Sequence, residues 1–130
     1  VDELLGRWLS SNEPQITLFE DDDEIKVQRD QQILLISAQL THHRVDKKTL
    51  EAWMRLGQAS LRHFQGALAQ EAINGHLWLL QKLPSDGALT HLVTKLETLL
   101  NQRDTWRAMA VRLARPTQKL TPTSLRSLPH

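Results

Sequence analysis

A chain of 130 residues, 40% hydrophobic, with no cysteine and with 16 basic against 15 acidic side chains, has length for one domain with a modest core. Its near-neutral charge lacks the basic excess that makes nucleic acid a default partner, and the missing cysteine excludes disulfides, thiolate chemistry and cysteine-based metal sites. No apolar run exceeds four residues, as at Ile33–Ile36, far short of the roughly 20 a bilayer requires, so no membrane insertion is expected.

The first element in chain order is a short helix from Asp2 to Leu9. Leu4, Leu5, Trp8 and Leu9 fall on one of its faces, and Asp2 and Glu3 suit its positive end. The opening residues have no basic region ahead of an apolar stretch and do not read as a signal peptide. With Val at position 1, the chain is expected to lack some native N-terminal residues. Pro14 stops helix at Glu13. The period then drops to two: Ile16 and Leu18, then Ile25 and Val27, alternate with polar residues on either side of Asp21, Asp22 and Asp23. Two strands joined at that acidic turn are predicted. A second turn is expected at Gln28–Gln31, followed by a central strand from Ile33 to Leu40.

Asp46 is placed to cap a second helix whose stripe runs Leu50, Trp53, Met54, Gly57, Leu61 and Phe64. Gly57 costs that helix about 1 kcal/mol relative to Ala, and is expected to mark close packing against another backbone. Asn74-Gly75 favours a type I′ turn. It predicts a hairpin of Ala67–Ile73 with His76–Leu83, closed by Pro84–Gly87. A long helix from Leu89 to Leu113 ends the pattern, with apolar residues from Leu89 to Met109 interrupted on their stripe only by Arg103. The whole is an α+β domain over 1–114, with three helices over an antiparallel sheet of about five short strands in the order α-β-β-β-α-β-β-α. Residues 115–130, with three prolines, several Ser and Thr, and Arg115, Lys119 and Arg126, read as a flexible basic tail.

Charge is distributed unevenly. Residues 1–30 carry nine acids and three bases, whereas 31–130 carry six acids and thirteen bases. Two basic groups follow from this, Arg44 with Lys47 and Lys48, and Arg103 with Arg107, Arg112 and Arg115. Arg103 and Arg107 share a helix face at a spacing able to grip phosphates or an acidic partner. No reading helix or aromatic platform accompanies them, so no nucleic-acid partner is assigned. The six histidines include His42-His43, whose rings point oppositely in a regular strand, and no H-E-x-x-H motif or metal-ligand spacing occurs. Asp21–Glu24 lacks the glycine of a calcium loop. Phosphate-binding glycine loops and the serine elbow are also missing, so no catalytic residue, metal or cofactor is expected.

The segment Leu77–Pro84, the leucines from Leu89 to Leu100 and the later Trp106, with Leu4, Leu5 and Leu9 in the first helix and strands after Pro14, resemble the class I effector chaperones of bacterial type III secretion. The resemblance covers about residues 2–113 and rests on the order of these features. It implies a secretion-chaperone-like fold, a cytoplasmic location in a bacterium, a homodimer and no enzyme activity. It further implies binding of the N-terminal segment of one or more secreted effectors in extended form, which keeps them soluble and secretion-competent. Leu50, Trp53, Met54, Leu56 and Phe64 map to the dimer interface. Leu4, Leu5, Trp8 and Leu9, with Ile16, Leu18, Ile25, Val27 and Leu34 taken as outward, map to client grooves. Arg103 and Arg107 are candidates for an electrostatic contact with a partner, including an apparatus component such as the secretion ATPase. Family members are commonly acidic overall, whereas this chain has a formal charge of +1. The alternatives are a structural or regulatory component of the secretion apparatus, or a small nucleic-acid-binding regulator.

Overall fold

The computed structural model describes residues 2–60 and 66–114. Along them run α1 (Asp2–Ser10), β1 (Gln15–Glu20), β2 (Asp23–Asp30), β3 (Ile33–Gln39), α2 (Lys47–Ser60), β4 (Ala67–Gln70), β5 (Leu77–Pro84) and α3 (Leu89–Ala114). The element order is the predicted one. The strands form one antiparallel sheet in the order β1-β2-β3-β5-β4. The tail at 115–130, together with Leu61, His63 and Phe64, lies outside the described residues.

Register decides which alternate side chains meet. Leu18 pairs with Ile25, Val27 with Ile36, and Ala38 with Leu79, so these residues share one face of the pleat. The helices lie over that face. Leu5 and Trp8 of α1 and Leu92, Leu96, Leu99 and Trp106 of α3 join the strand residues in a single core. The second helix leans on α3, where the Trp53 and Trp106 rings stack with centroids 6.4 Å apart. Gly57 makes this approach possible, since a Cβ there would lie 2.7 Å from Cη2 of Trp106. Its close neighbour is thus an indole ring rather than the backbone expected.

Two turns depart from prediction. Strand β2 continues through Gln28–Asp30, because the Arg29 N–H donates to Pro14 O at 2.9 Å and Arg29 pairs with Leu34. The reversal comes at Gln31-Gln32, with Gln31 at φ 58°. Asn74-Gly75 does not form a two-residue type I′ turn. The β4–β5 pairing ends at Gln70 with Leu77, and Glu71–His76 makes a wider loop in which Gly75 alone has positive φ, 74°. The Gly75 N–H donates to Glu71 O at 2.8 Å and the His76 N–H to the Asn74 side-chain oxygen at 2.9 Å. Asn74 therefore caps the loop with its side chain instead of entering the left-handed region. Asp46 caps α2 as predicted, accepting the Thr49 N–H at 2.8 Å, and that bond lowers its carboxyl pKa.

Candidate functional site

The acidic and basic parts of the chain meet at the β1–β2 hairpin. Glu20 and Asp23 close the hairpin as paired residues, and α3 crosses there with Arg103 and Arg107 one turn apart. Arg103 is only 3% exposed and donates through Nη2 to Glu20 and Asp104, with Nη1 3.5 Å from Asp23. Burial disfavours its charge, but the hydrogen bonds to Glu20 and Asp104 and the charges of these carboxylates prevail and raise its pKa. Arg107 grips Asp23 with two parallel hydrogen bonds of 2.8 and 2.9 Å and also donates to the carbonyls of Leu40 and Gln39. Such forked pairing holds both partners in one geometry. It depresses the Asp23 carboxyl to about 2, with help from the His42 ring at 2.6 Å and against the opposing effect of burial. Arg103 and Arg107 are thus committed internally. Arg103 faces inward, whereas Arg107 keeps part of its guanidinium at the surface.

A third arginine, Arg29, faces the helix layer from β2 and locks the end of α1. Its Nη2 donates to the carbonyls of Trp8, Leu9 and Ser11 and its Nε to Glu13 O, while the guanidinium lies 4.2 Å from the Trp8 ring centroid. The last carbonyls of a helix have no partner within it and carry its negative end, so a cation placed there serves both needs.

The client-groove candidates now divide. Leu5, Trp8, Leu18, Ile25, Val27 and Leu34 are buried core residues. The outward placement expected of Leu18, Ile25, Val27 and Leu34 is corrected, since they face the helices: alternation identifies two faces but not which one the helices cover. Leu4 is exposed, and Leu9 and Ile16 are partly so. On the opposite face Phe19 is 67% exposed, a residue outside the alternating set of Ile16, Leu18, Ile25 and Val27. Strand β1 is also a sheet edge. Because Pro14 O accepts from Arg29 N–H, positions 16, 18 and 20 turn their backbone groups toward β2. Gln15, Thr17 and Phe19 turn theirs outward, unpaired within the sheet.

Grooves flank α2 on both sides. One, about 530 Å³, is lined by Met54, Gly57, Ala67, Leu68 and Trp106 with Glu51 and Arg55. The other, about 410 Å³, lies between α2 and α3 and is lined by His43, Ala52, Trp53, Leu56, Ala110 and Val111. Of the interface candidates, Met54 is 57% exposed. Leu50, Trp53 and Leu56 pack partly against the core. Among the described residues no group of three or more His, Asp or Glu stands close enough to hold a metal ion, and no helix is long and apolar enough to cross a membrane.

No protein-family model matches the chain, and no curated protein matches it. Solved structures do share its fold. A chain of the HopA1–SchA chaperone–effector complex superposes with a TM-score of 0.60 at 15% identity, over 80% of this chain and 88% of its own length. A chain of the ExsC–ExsE complex gives 0.63 at 14% identity, covering 82% and 90%. A third, from the heterodimeric ExoU–SpcU complex of the Pseudomonas aeruginosa type III secretion system, gives 0.59 at 18% identity, covering 83% and 95%. The secretion-chaperone-like architecture drawn from the residue pattern is therefore the fold of this chain.

Proposed function

We propose that this chain is a chaperone of bacterial type III secretion that binds secreted effectors and holds their N-terminal segments extended and soluble in the cytoplasm. The supporting observation is the likeness, over about four-fifths of the chain, to chains from complexes that include a chaperone with its effector. The physical requirements agree. An unfolded client presents apolar side chains and unpaired backbone groups, and this domain offers exposed Leu4 and Phe19, partly exposed Leu9 and Ile16, and an open β1 edge. The proposed active form is a homodimer whose contacts include Met54, with Leu50, Trp53 and Leu56 beside it on α2. Binding needs no chemistry, so no cofactor enters the reading.

The test is co-expression with candidate effectors encoded nearby, followed by affinity capture and light scattering. A dimer holding an effector's N-terminal segment, with that segment protected from protease only while it is bound, is the expected result. Capture of an apparatus protein with no effector binding, or a monomer that binds neither, would overturn it.

A further inference from the structure

We infer that Asn74-Gly75 is a modification site gated by its own loop. While the loop is closed the pair is held unreactive, and its opening admits a one-way conversion to isoaspartate that prevents reclosure.

Of the asparagines at 12, 74 and 101, only Asn74 precedes a glycine. In a flexible chain such a pair reacts with itself, because the glycine has no side chain to hinder its nitrogen. The Gly75 nitrogen attacks the Asn74 side-chain carbonyl carbon and a C–N bond forms. The side-chain amide then leaves as ammonia, taking the Gly75 proton. Water opens the resulting cyclic succinimide at either carbonyl. Opening at the side-chain carbonyl gives Asp. Opening at the backbone carbonyl gives isoaspartate, whose main chain runs through one extra methylene.

The closed loop blocks the first step at both reacting groups. The attacking nitrogen is engaged, since the Gly75 N–H donates to Glu71 O at 2.8 Å. The Asn74 side-chain oxygen accepts the His76 N–H at 2.9 Å. Alone, that bond would polarise the carbonyl toward attack; with the nucleophile occupied, it fixes the side chain's rotation instead. Outer bonds keep the loop shut. Gly75 O accepts from the Val45 N–H and from Gln70 Nε2, both at 3.1 Å, and Ile73 O accepts from Arg44 Nη2 at 3.2 Å. The loop itself demands the reactive pair. Gly75 has φ 74°, and a Cβ there would lie 2.6 Å from Cγ of Arg44, while position 74 needs a short side chain with an oxygen for His76. Conversion undoes the closure, because the extra methylene lengthens the chain between Glu71 and Gly75 and spoils the spacing of the bonds to Glu71 and Val45. Val45 leads directly into the Asp46 cap of α2, the helix that lines both grooves.

Incubation of the intact protein at neutral pH, followed by peptide mapping with mass spectrometry, measures conversion at residue 74 separately from any change at Asp86-Gly87. It should run at least about tenfold slower than in a free peptide with the sequence of Glu71–Leu77, because reaction waits on a minor open state. Gln70→Ala and Arg44→Ala, both at exposed positions, remove outer bonds of the loop and should each raise the rate about threefold or more. Purified isoaspartate protein should show faster amide exchange at Val45 and Gly75, with exchange in β2 and β3 unchanged. N74D keeps an oxygen for His76 without lengthening the chain, and should exchange as the native protein does. A native rate equal to that of the peptide, a native rate in either variant, or slow exchange at Val45 and Gly75 in the isoaspartate protein overturns the inference.

Discussion

Replacing Asp23 by Asn tests whether the meeting of acidic hairpin and basic helix stabilises this fold. The carboxyl is held at about 2 against an ordinary 3.8, equivalent to at most about 2.4 kcal/mol at roughly 1.36 kcal/mol per pKa unit. Solvent reaches the site beside the half-exposed His42 and the partly exposed Arg107, and screening reduces the contribution to about 1 kcal/mol. Asn also leaves one Arg107 donor without its acceptor, which adds roughly 1 kcal/mol. D23N should therefore be about 2 kcal/mol less stable at pH 7.

The sign with pH follows from a depressed carboxyl. Its contribution is complete above about pH 4 and is lost as pH falls toward about 2. Urea unfolding followed by tryptophan fluorescence, at one protein concentration and from pH 7 to 2.5, reads both quantities. The gap between native protein and D23N should stay constant down to about pH 4 and then narrow by about half. Parallel curves across the whole range would refute the linkage, and a gap that widens below pH 4 would reverse its sign.

Gly57→Ala should destabilise by about 1 kcal/mol, since a Cβ 2.7 Å from Trp106 costs roughly 1–3 kcal/mol in repacking against about 1 kcal/mol of helix propensity gained. A shift in tryptophan emission should accompany it, and a stabilised variant would show that the α2–α3 contact yields freely. Arg29→Gln should cost about 2 kcal/mol and raise amide exchange over the last turn of α1. Unchanged exchange there would mean that core packing alone holds the helix. Met54→Glu should leave unfolding of the isolated protomer within about 0.5 kcal/mol, as expected of an exposed site, while weakening self-association more than tenfold. An unaltered dimer by light scattering would remove Met54 from the interface.

The element order was legible because each period is local: two for the strands and three or four for the helices, with Pro14, Asp46 and Gly87 as punctuation. Faces were not legible. Ile25 and Val27 alternate with polar residues whether they point to helices or to a client, and only the register against β3 and the position of α3 show that they are core. The Asn74-Gly75 reading failed for a related reason. The dipeptide states a local preference, but the pairing of Leu77 with Gln70 and the hydrogen bonds of Glu71 set a wider loop. Phe19 carried no signal of exposure, because an aromatic residue in a strand pattern fits either face. The ion-pair network left one trace: Arg103 interrupts an otherwise apolar stripe, and a basic residue on a buried face requires an acid to meet it. The nine acids of the first thirty residues supplied that acid, without showing that Glu20 and Asp23 were the ones used.

The near-balance of charge thus has a spatial meaning that composition conceals. Buried ion pairs add little net stability compared with well-packed apolar residues, so Arg103 and Arg107 matter more for what they specify. Glu20 and Asp23 meet their arginines only when α3 crosses the sheet at one height and one rotation, and this fixes the hairpin against the longest helix. Glu20 ends the edge strand and Asp23 begins its partner, so the same contacts hold the β1 edge in place. Neutralising those two acids leaves Asp21 and Asp22 as the free charges at its tip. Loosening the network should consequently weaken client binding even with every edge residue intact. R107Q, which leaves Gln15, Thr17, Phe19, Asp21 and Asp22 untouched, should lower affinity for a co-purified effector N-terminal segment about threefold or more, together with faster amide exchange at Asp22–Glu24. Faster exchange with unchanged affinity would separate the two roles and return the network to stability alone.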